Sequence, residues 1–80
     1  MQIFKTENKN RKKLTVILEP WAEEYYLKKN DTLEFRQDDG LKGYYHQCIY
    51  QDGDIQIFVE GEYTYPDVFI NGTEVASFNE

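Results

Sequence analysis

The sequence has few of the residues that build disulfide frameworks, zinc sites and membrane spans. Its 80 residues include one cysteine, one histidine and two prolines. A single cysteine excludes an internal disulfide framework, and one cysteine with one histidine cannot complete a tetrahedral zinc site. No apolar run approaches the roughly 18 residues of a membrane-spanning helix, and residues 1–5 lack the apolar stretch of a signal peptide. We therefore expect no metal, no cofactor and no membrane span, and we predict a cytoplasmic protein.

The chain is short and acidic, with 15 Asp and Glu against 9 Lys and Arg and a net charge of −6. Aromatic residues make up 16% of it, which is enough apolar surface to fold without help. A chain of this length has little core to spare for a catalytic cleft. We therefore predict one domain over residues 1–80 and no enzymatic activity. Residues 9–13 are strongly basic and are predicted to form a solvated turn before a strand.

Apolar and polar residues alternate along most of the chain, which is typical of half-buried strands. The alternation predicts strands at residues 13–19, 25–28, 32–36, 43–51, 54–60, 67–70 and 73–78. Asn71-Gly72 and Asp52-Gly53 are typical of two-residue type I′ hairpin turns. The fold class is therefore predicted to be all-β, a small antiparallel β-sandwich or partly open barrel of about seven to eight short strands.

Residues 18–25 combine a tryptophan with three carboxylates. Trp21 follows Glu19-Pro20 and precedes Glu23 and Glu24. In a structural interpretation Trp21 covers one end of the sandwich and Glu19 accepts a hydrogen bond at the corner. In a functional interpretation Trp21 is a recognition anchor flanked by acids. A carbohydrate-binding or hydrolytic site would require two of the carboxylates to flank a cleft.

The same segment, Leu-Glu-Pro-Trp-Ala-Glu-Glu-Tyr, resembles one in a group of short bacterial proteins. In those proteins a strand ends in Leu-Glu-Pro-Trp and is followed by Gly or Ala, then acids, then an aromatic residue. The likeness covers residues 8–36 and implies half of a small β-sandwich. It implies no activity, so it indicates kinship and leaves the chemistry open.

Tyrosine is unusually frequent, with seven residues, two pairs of which are adjacent in sequence. In a regular strand one ring of each adjacent pair faces outward. Outward tyrosines beside carboxylates suit protein recognition, although cross-strand tyrosine pairs also stabilise a solvent-facing sheet. The candidate binding residues are Glu19, Trp21, Glu23, Glu24, Tyr26, Tyr45, Tyr63 and Tyr65.

Other polar positions are expected to be structural. His46 and Cys48 share one face of a strand, and we expect a surface imidazole and a half-buried thiol there. The acidic turns at residues 38–40 and 52–54 lack the ligand spacing of a calcium loop.

Taken as a whole, the sequence predicts a small non-catalytic protein-interaction module with an acidic, tyrosine-rich surface. The alternative is an acidic inhibitor or immunity-type protein that mimics the charge of nucleic acid. Binding of nucleic acid itself is disfavoured, because phosphate binding needs excess Lys and Arg. The strand predicted at residues 73–78 is a candidate edge for homodimerisation.

Overall fold

Eight strands form two four-stranded sheets in the computed structural model, which describes residues 1–75. The strands are β1 (Gln2–Glu7), β2 (Lys13–Glu19), β3 (Glu23–Lys28), β4 (Thr32–Gln37), β5 (Gly43–Ile49), β6 (Ile55–Gly61), β7 (Asp67–Ile70) and β8 (Thr73–Glu74). The first sheet has the order β1-β4-β7-β8 and the second the order β3-β2-β6-β5. The all-β prediction is confirmed.

The core lies between the two sheets and follows from the alternation of each strand. Side chains at every second position point inward, and most of the inward set is apolar. Phe35, at the centre of β4, is fully buried and contacts rings from both sheets. The buried apolar residues are Leu14, Val16, Leu18, Tyr25, Leu27, Leu33, Phe35, Ile57 and Val68.

The second sheet departs from the predicted antiparallel arrangement in one place. Strands β2 and β6 run parallel, with Val16 opposite Ile55 and Leu18 opposite Ile57. The other pairings within residues 1–75 are antiparallel. The sheet consists of the hairpin β2–β3 and the hairpin β5–β6, which meet through β2 and β6. Alternation fixes the inward face of each strand but carries no information about the direction of a distant partner.

The first strand was not predicted, because its alternation is weak. In β1 the inward positions include polar Gln2 and Thr6, whereas Ile3 faces outward and is 53% exposed. The basic stretch at residues 9–13 does form a turn before β2. Buried Asn8 holds that turn, because its amide donates to the carbonyls of Arg11 at 3.0 Å and Leu27 at 2.9 Å.

The two predicted type I′ turns differ. Asn71 and Gly72 both have positive φ, at 52° and 81°, as a two-residue type I′ turn between paired Ile70 and Thr73 requires. By contrast, the loop after β5 has three residues, 51–53, between Tyr50 and Asp54. Only Gly53 of that loop has positive φ, at 89°, so the prediction of a two-residue turn there is wrong.

The C-terminal strand is confirmed as an edge of the first sheet over Thr73–Glu74. The rest of the strand predicted at residues 73–78 lies largely outside the described residues. Residues 1–75 contain no helix that is long and apolar enough to cross a membrane.

Candidate functional site

The outward side of the second sheet, called here the outer face, carries an unusual number of apolar side chains. The strand register places Ile17 of β2 and Phe58 of β6 at its centre, both half-buried. Tyr26 of edge strand β3 is 54% exposed and Tyr44 of edge strand β5 is 63% exposed. The ring of His46 lies beside Phe58, with 6.0 Å between the ring centroids. Tyr26, Ile17, Phe58 and Tyr44 therefore form a diagonal apolar strip across the four strands, in which each member neighbours the next diagonally and lies directly opposite polar side chains.

Carboxylates surround this strip, and hydrogen bonds orient one of them. The side-chain amide of Gln56 donates from its nitrogen to the Glu19 carboxylate at 2.6 Å. Its oxygen accepts a hydrogen bond from the Tyr50 hydroxyl at 2.7 Å. Glu24 and Glu60 also point outward on this face. The resulting chain runs from Tyr50, directly after β5, through β6 to Glu19 of β2, so the Glu19 carboxylate is held on the outer face.

Basic groups occupy one corner of the outer face. The Lys13 ammonium lies 4.5 Å from the centroid of the Tyr26 ring, within the range of a cation–π contact. This contact holds the exposed ring against β2.

A buried polar cluster lies at the opposite side of the same strands, under the β2–β3 turn. Glu23 is 2% exposed and accepts a hydrogen bond from the Tyr65 hydroxyl, which also bonds to the Tyr25 hydroxyl. The Trp21 and Tyr65 rings pack edge to face, with 4.8 Å between their centroids. Burial, reinforced by the bond to Tyr65, raises the pKa of Tyr25 well above its usual range. These contacts match the structural interpretation of Trp21, which covers one end of the sandwich.

In the second tyrosine pair, Tyr44 and Tyr45, the candidate binding residue Tyr45 does not face outward. Tyr45 points inward, where its ring lies 5.2 Å from Phe4 and 5.4 Å from Tyr63, and it is Tyr44 that faces outward. The Gln37 amide donates to the Tyr45 hydroxyl at 2.8 Å. Burial raises the pKa of Tyr45 to about 12. Tyr45 and Tyr63 are therefore parts of the core and its margin.

The structure thus divides the eight candidate residues into three groups. Glu19, Glu24 and Tyr26 lie on the outer face, whereas Trp21, Glu23 and Tyr65 form the buried cluster and Tyr45 and Tyr63 lie between the sheets. Glu23 and Glu24 are neighbours in β3 and so point to opposite sides of the sheet. Glu23 therefore does not face the same space as Glu19 and Glu24, and these three carboxylates do not flank one cleft.

Three apolar members of the outer face, Ile17, Tyr44 and Phe58, are not among the candidate residues. A signal for Ile17 was present, because an apolar residue on the nominal solvent side of β2 indicates that this side is partly covered. Phe58 gives the same signal in β6, since its neighbours Ile57 and Val59 occupy the inward side.

Acidic residues are distributed around the whole molecule. The outer side of the first sheet carries Glu34, whose carboxylate pairs with Arg36 and lies 3.6 Å from the Lys5 ammonium. The bond to Arg36 lowers the pKa of Glu34. Further acids occupy the outer face of the second sheet and the turns, at Asp31, Asp38, Asp39, Asp52 and Glu62. No single face collects them.

Metal-binding geometry is absent from the described part of the chain. Within residues 1–75 no group of three or more His, Cys, Asp or Glu is placed to hold a metal ion. His46 Nε2 and Cys48 Sγ are 3.9 Å apart on the exposed side of β5.

No protein-family model, curated protein or solved structure matches the chain.

Proposed function

We propose that this protein is a small, non-catalytic interaction module whose outer face binds a protein surface with an apolar centre and a basic rim. The observation that carries this proposal is the apolar strip formed by Ile17, Tyr26, Tyr44 and Phe58. Ile17 and Phe58 interrupt outward positions of β2 and β6 that are otherwise polar, as expected of a sheet face that meets water. Aromatic side chains grouped on one face are instead typical of the centre of a protein interface.

Charge identifies the chemistry of the partner. Glu19, Glu24 and Glu60 border the strip, and the whole chain carries −6. A partner surface with Lys or Arg around an apolar patch would place opposite charges against these carboxylates. Such pairs at a rim accelerate association and weaken as salt is added. Binding is therefore expected to have a salt-sensitive component around an apolar centre.

Two other functions are less well supported. Mimicry of nucleic-acid charge calls for carboxylates aligned along one face like a row of phosphates, whereas the acids here occupy both sheets and most turns. A carbohydrate-binding or hydrolytic site needs paired carboxylates at an opening, and Glu23 is buried against Tyr65. The interaction module therefore remains the proposal, and the thiol of Cys48 is consistent with a cytoplasmic location.

The experiment compares the same substitution on the two outward sides of the protein. Ile17→Thr removes apolar surface from the outer face and keeps a β-branched residue in the strand. Ile3→Thr does the same on the outward side of the first sheet, where Ile3 is 53% exposed. Each immobilised variant and the parent protein are used to capture proteins from a bacterial lysate at low and moderate salt, and bound species are quantified by mass spectrometry.

The proposal expects a species that the parent and Ile3→Thr retain equally and that Ile17→Thr retains several-fold less. Tyr26→Ser should lose the same species, because Tyr26 extends the strip to the β3 edge. Equal retention by the two threonine variants, or no retained species at either salt concentration, would count against the outer face as a binding surface.

A further inference from the structure

The two sheets end in four edge strands, and β5 differs from the other three. The edges are β1 and β8 in the first sheet and β3 and β5 in the second. Exposed edges invite pairing with another chain, and proteins commonly block them with charged residues or keep them short. Strand β1 carries Lys5 and Glu7, β3 carries Glu24 and Lys28, and β8 has two residues. Three of the four edges are thus protected in one of the usual ways.

Strand β5 has neither form of protection. It is seven residues long, and residues 43–51 contain no Asp, Glu, Lys or Arg, although 30% of the chain is charged. It pairs with β6 on one side, and no other strand within residues 1–75 pairs with it on the opposite side. Its apolar side chains are also unusually exposed, at 63% for Tyr44 and 68% for Ile49.

The backbone of β5 presents a regular set of hydrogen-bonding groups on its open side. Tyr50 bonds to Asp54 and Glu62 bonds to Lys42, which makes these the hydrogen-bonded pairs of the β5–β6 ladder. Because such pairs alternate along an antiparallel ladder, Tyr44, His46 and Cys48 direct their N–H and C=O groups to β6. Tyr45, Gln47 and Ile49 therefore direct theirs to the open edge.

We propose that the β5 edge pairs with β5 of a second copy of this chain, antiparallel and about a two-fold axis at Gln47. In that register Tyr44 opposes Tyr50 of the second copy, Tyr45 opposes Ile49, and His46 opposes Cys48. Aromatic–aromatic and aromatic–aliphatic pairs are favourable across a ladder. The register thus matches Tyr44 with Tyr50 and Tyr45 with Ile49, and each of these apolar pairs occurs twice by symmetry.

Two observations favour a second copy as the occupant. The pairing covers Tyr44, Ile49 and Tyr50, three of the six large apolar residues that are most exposed on the described chain. The paired segment is also uncharged, so two acidic molecules can meet along it without opposing like charges across the strand. The dimer would join two second sheets into one of eight strands. This inference is argued from the strand edge and does not rest on the proposed function, which concerns the sheet face and a different partner; Tyr44 belongs to both surfaces.

The first test perturbs Gln47, the residue on the proposed axis, and measures mass by sedimentation. A single added strand pairing is a small interface and hence weak, so the parent protein is measured up to on the order of 200 µM. The parent is expected to pass from 9.6 kDa to twice that mass as concentration rises. Gln47→Lys sets two like charges opposite each other and should raise the concentration for half-dimerisation at least tenfold.

Two further variants make the sedimentation test specific. Gln47→Pro removes an N–H that faces the open edge and leaves the ladder with β6 intact, so it should also give a monomer. Asn10→Lys makes the same amide-to-lysine change in the exposed loop before β2 and should dimerise like the parent. A parent protein that stays monomeric at every concentration, or one whose dimer is insensitive to Gln47→Lys, overturns the proposal.

The second test reads the register through a disulfide. The variant Gln47→Cys, made in a Cys48→Ser background, places one thiol from each copy on the axis. Hydrogen-bonded neighbours across an antiparallel ladder have Cα atoms about 5.5 Å apart, which is within disulfide range. Mild oxidation should therefore convert this variant to a covalent dimer. Ile49→Cys in the same background is the matched control, because its symmetry mate lies four residues away along the strand, about 13 Å. Equal cross-linking of the two variants would overturn the proposed axis.

Discussion

The buried cluster of Glu23, Tyr65 and Tyr25 gives the sharpest test of how this small domain is stabilised. Tyr65→Phe removes one hydroxyl, which donates to the buried Glu23 carboxylate and bonds to the Tyr25 hydroxyl. The ring that packs on Trp21 is retained. The substitution therefore deletes hydrogen bonding at nearly constant volume.

The expected loss follows from the burial of the acceptor. Removing one partner of a buried hydrogen bond costs about 1–3 kcal/mol, because the group left behind cannot turn to water. Glu23 is 2% exposed, so water does not replace the lost donor. We expect the free energy of unfolding to fall by about 2 kcal/mol, a large share of the roughly 5 kcal/mol available to a domain of this size.

Urea denaturation with fluorescence of Trp21 measures this loss, since the indole packs directly on Tyr65. With a slope near 1 kcal/mol per molar urea, the midpoint should fall by about 2 M. Tyr63→Phe is the matched control, two residues away, because within residues 1–75 its hydroxyl makes no hydrogen bond; it should change stability by less than about 0.5 kcal/mol. Equal midpoints for the two variants would refute the assignment of stability to the Glu23 cluster.

Three other perturbations test the core and the titrating groups. Phe35→Ala empties the centre of the core, where Phe35 is fully buried. The free energy of unfolding should fall by about 3–5 kcal/mol, which leaves the chain largely unfolded by circular dichroism at 25 °C. A cooperative native-like melt would contradict this. Because the pKa of Tyr25 is raised in the folded protein, its contribution to the free energy of unfolding is complete below pH about 10 and is lost as pH rises further. Tyr25→Phe should therefore flatten the decline of this free energy at alkaline pH. An unchanged decline would argue against this origin. Asn71 donates to the Asp31 carboxylate at 2.9 Å and holds the pKa of Asp31 below its usual value, so this contribution is present above pH about 4 and is lost below it. Asn71→Gly keeps the positive φ of the turn but removes the amide, and its acid unfolding profile should be shallower than that of the parent; superimposable profiles would exclude a role for this contact.

Much of the fold could be predicted because most strands bury one regular face. In β4 the alternation of Leu33 and Phe35 with charged neighbours defines both the strand and its inward side. The turn at Asn71-Gly72 could be predicted for a local reason, since both residues tolerate positive φ. Strand β1 escaped prediction because its inward positions are polar at both ends.

The sites were harder to predict because they depend on contacts between distant segments. The parallel pairing of β2 with β6 brings Ile17 and Phe58 into one strip, and no local pattern encodes that pairing. The sequence does not distinguish which of the adjacent residues Tyr44 and Tyr45 points inward, because the register with β6 decides it. The carboxylates Glu23 and Glu24 were grouped by adjacency, although adjacency in a strand separates them to opposite sides.

The buried polar side chains explain how so small a core can support a defined outer face. Asn8 bonds to Arg11 and Leu27, Gln37 donates to the carbonyl of Thr64 at 2.8 Å, and Glu23 accepts from Tyr65. The bonds to Leu27, Thr64 and Tyr65 each tie a segment between strands to a sheet, where the bond is costly to break. The segment at residues 62–66 is thus fixed at two points, by Gln37 and by Glu23. A surface whose supporting loops are already ordered loses less conformational entropy on binding, which favours the proposed binding at the outer face.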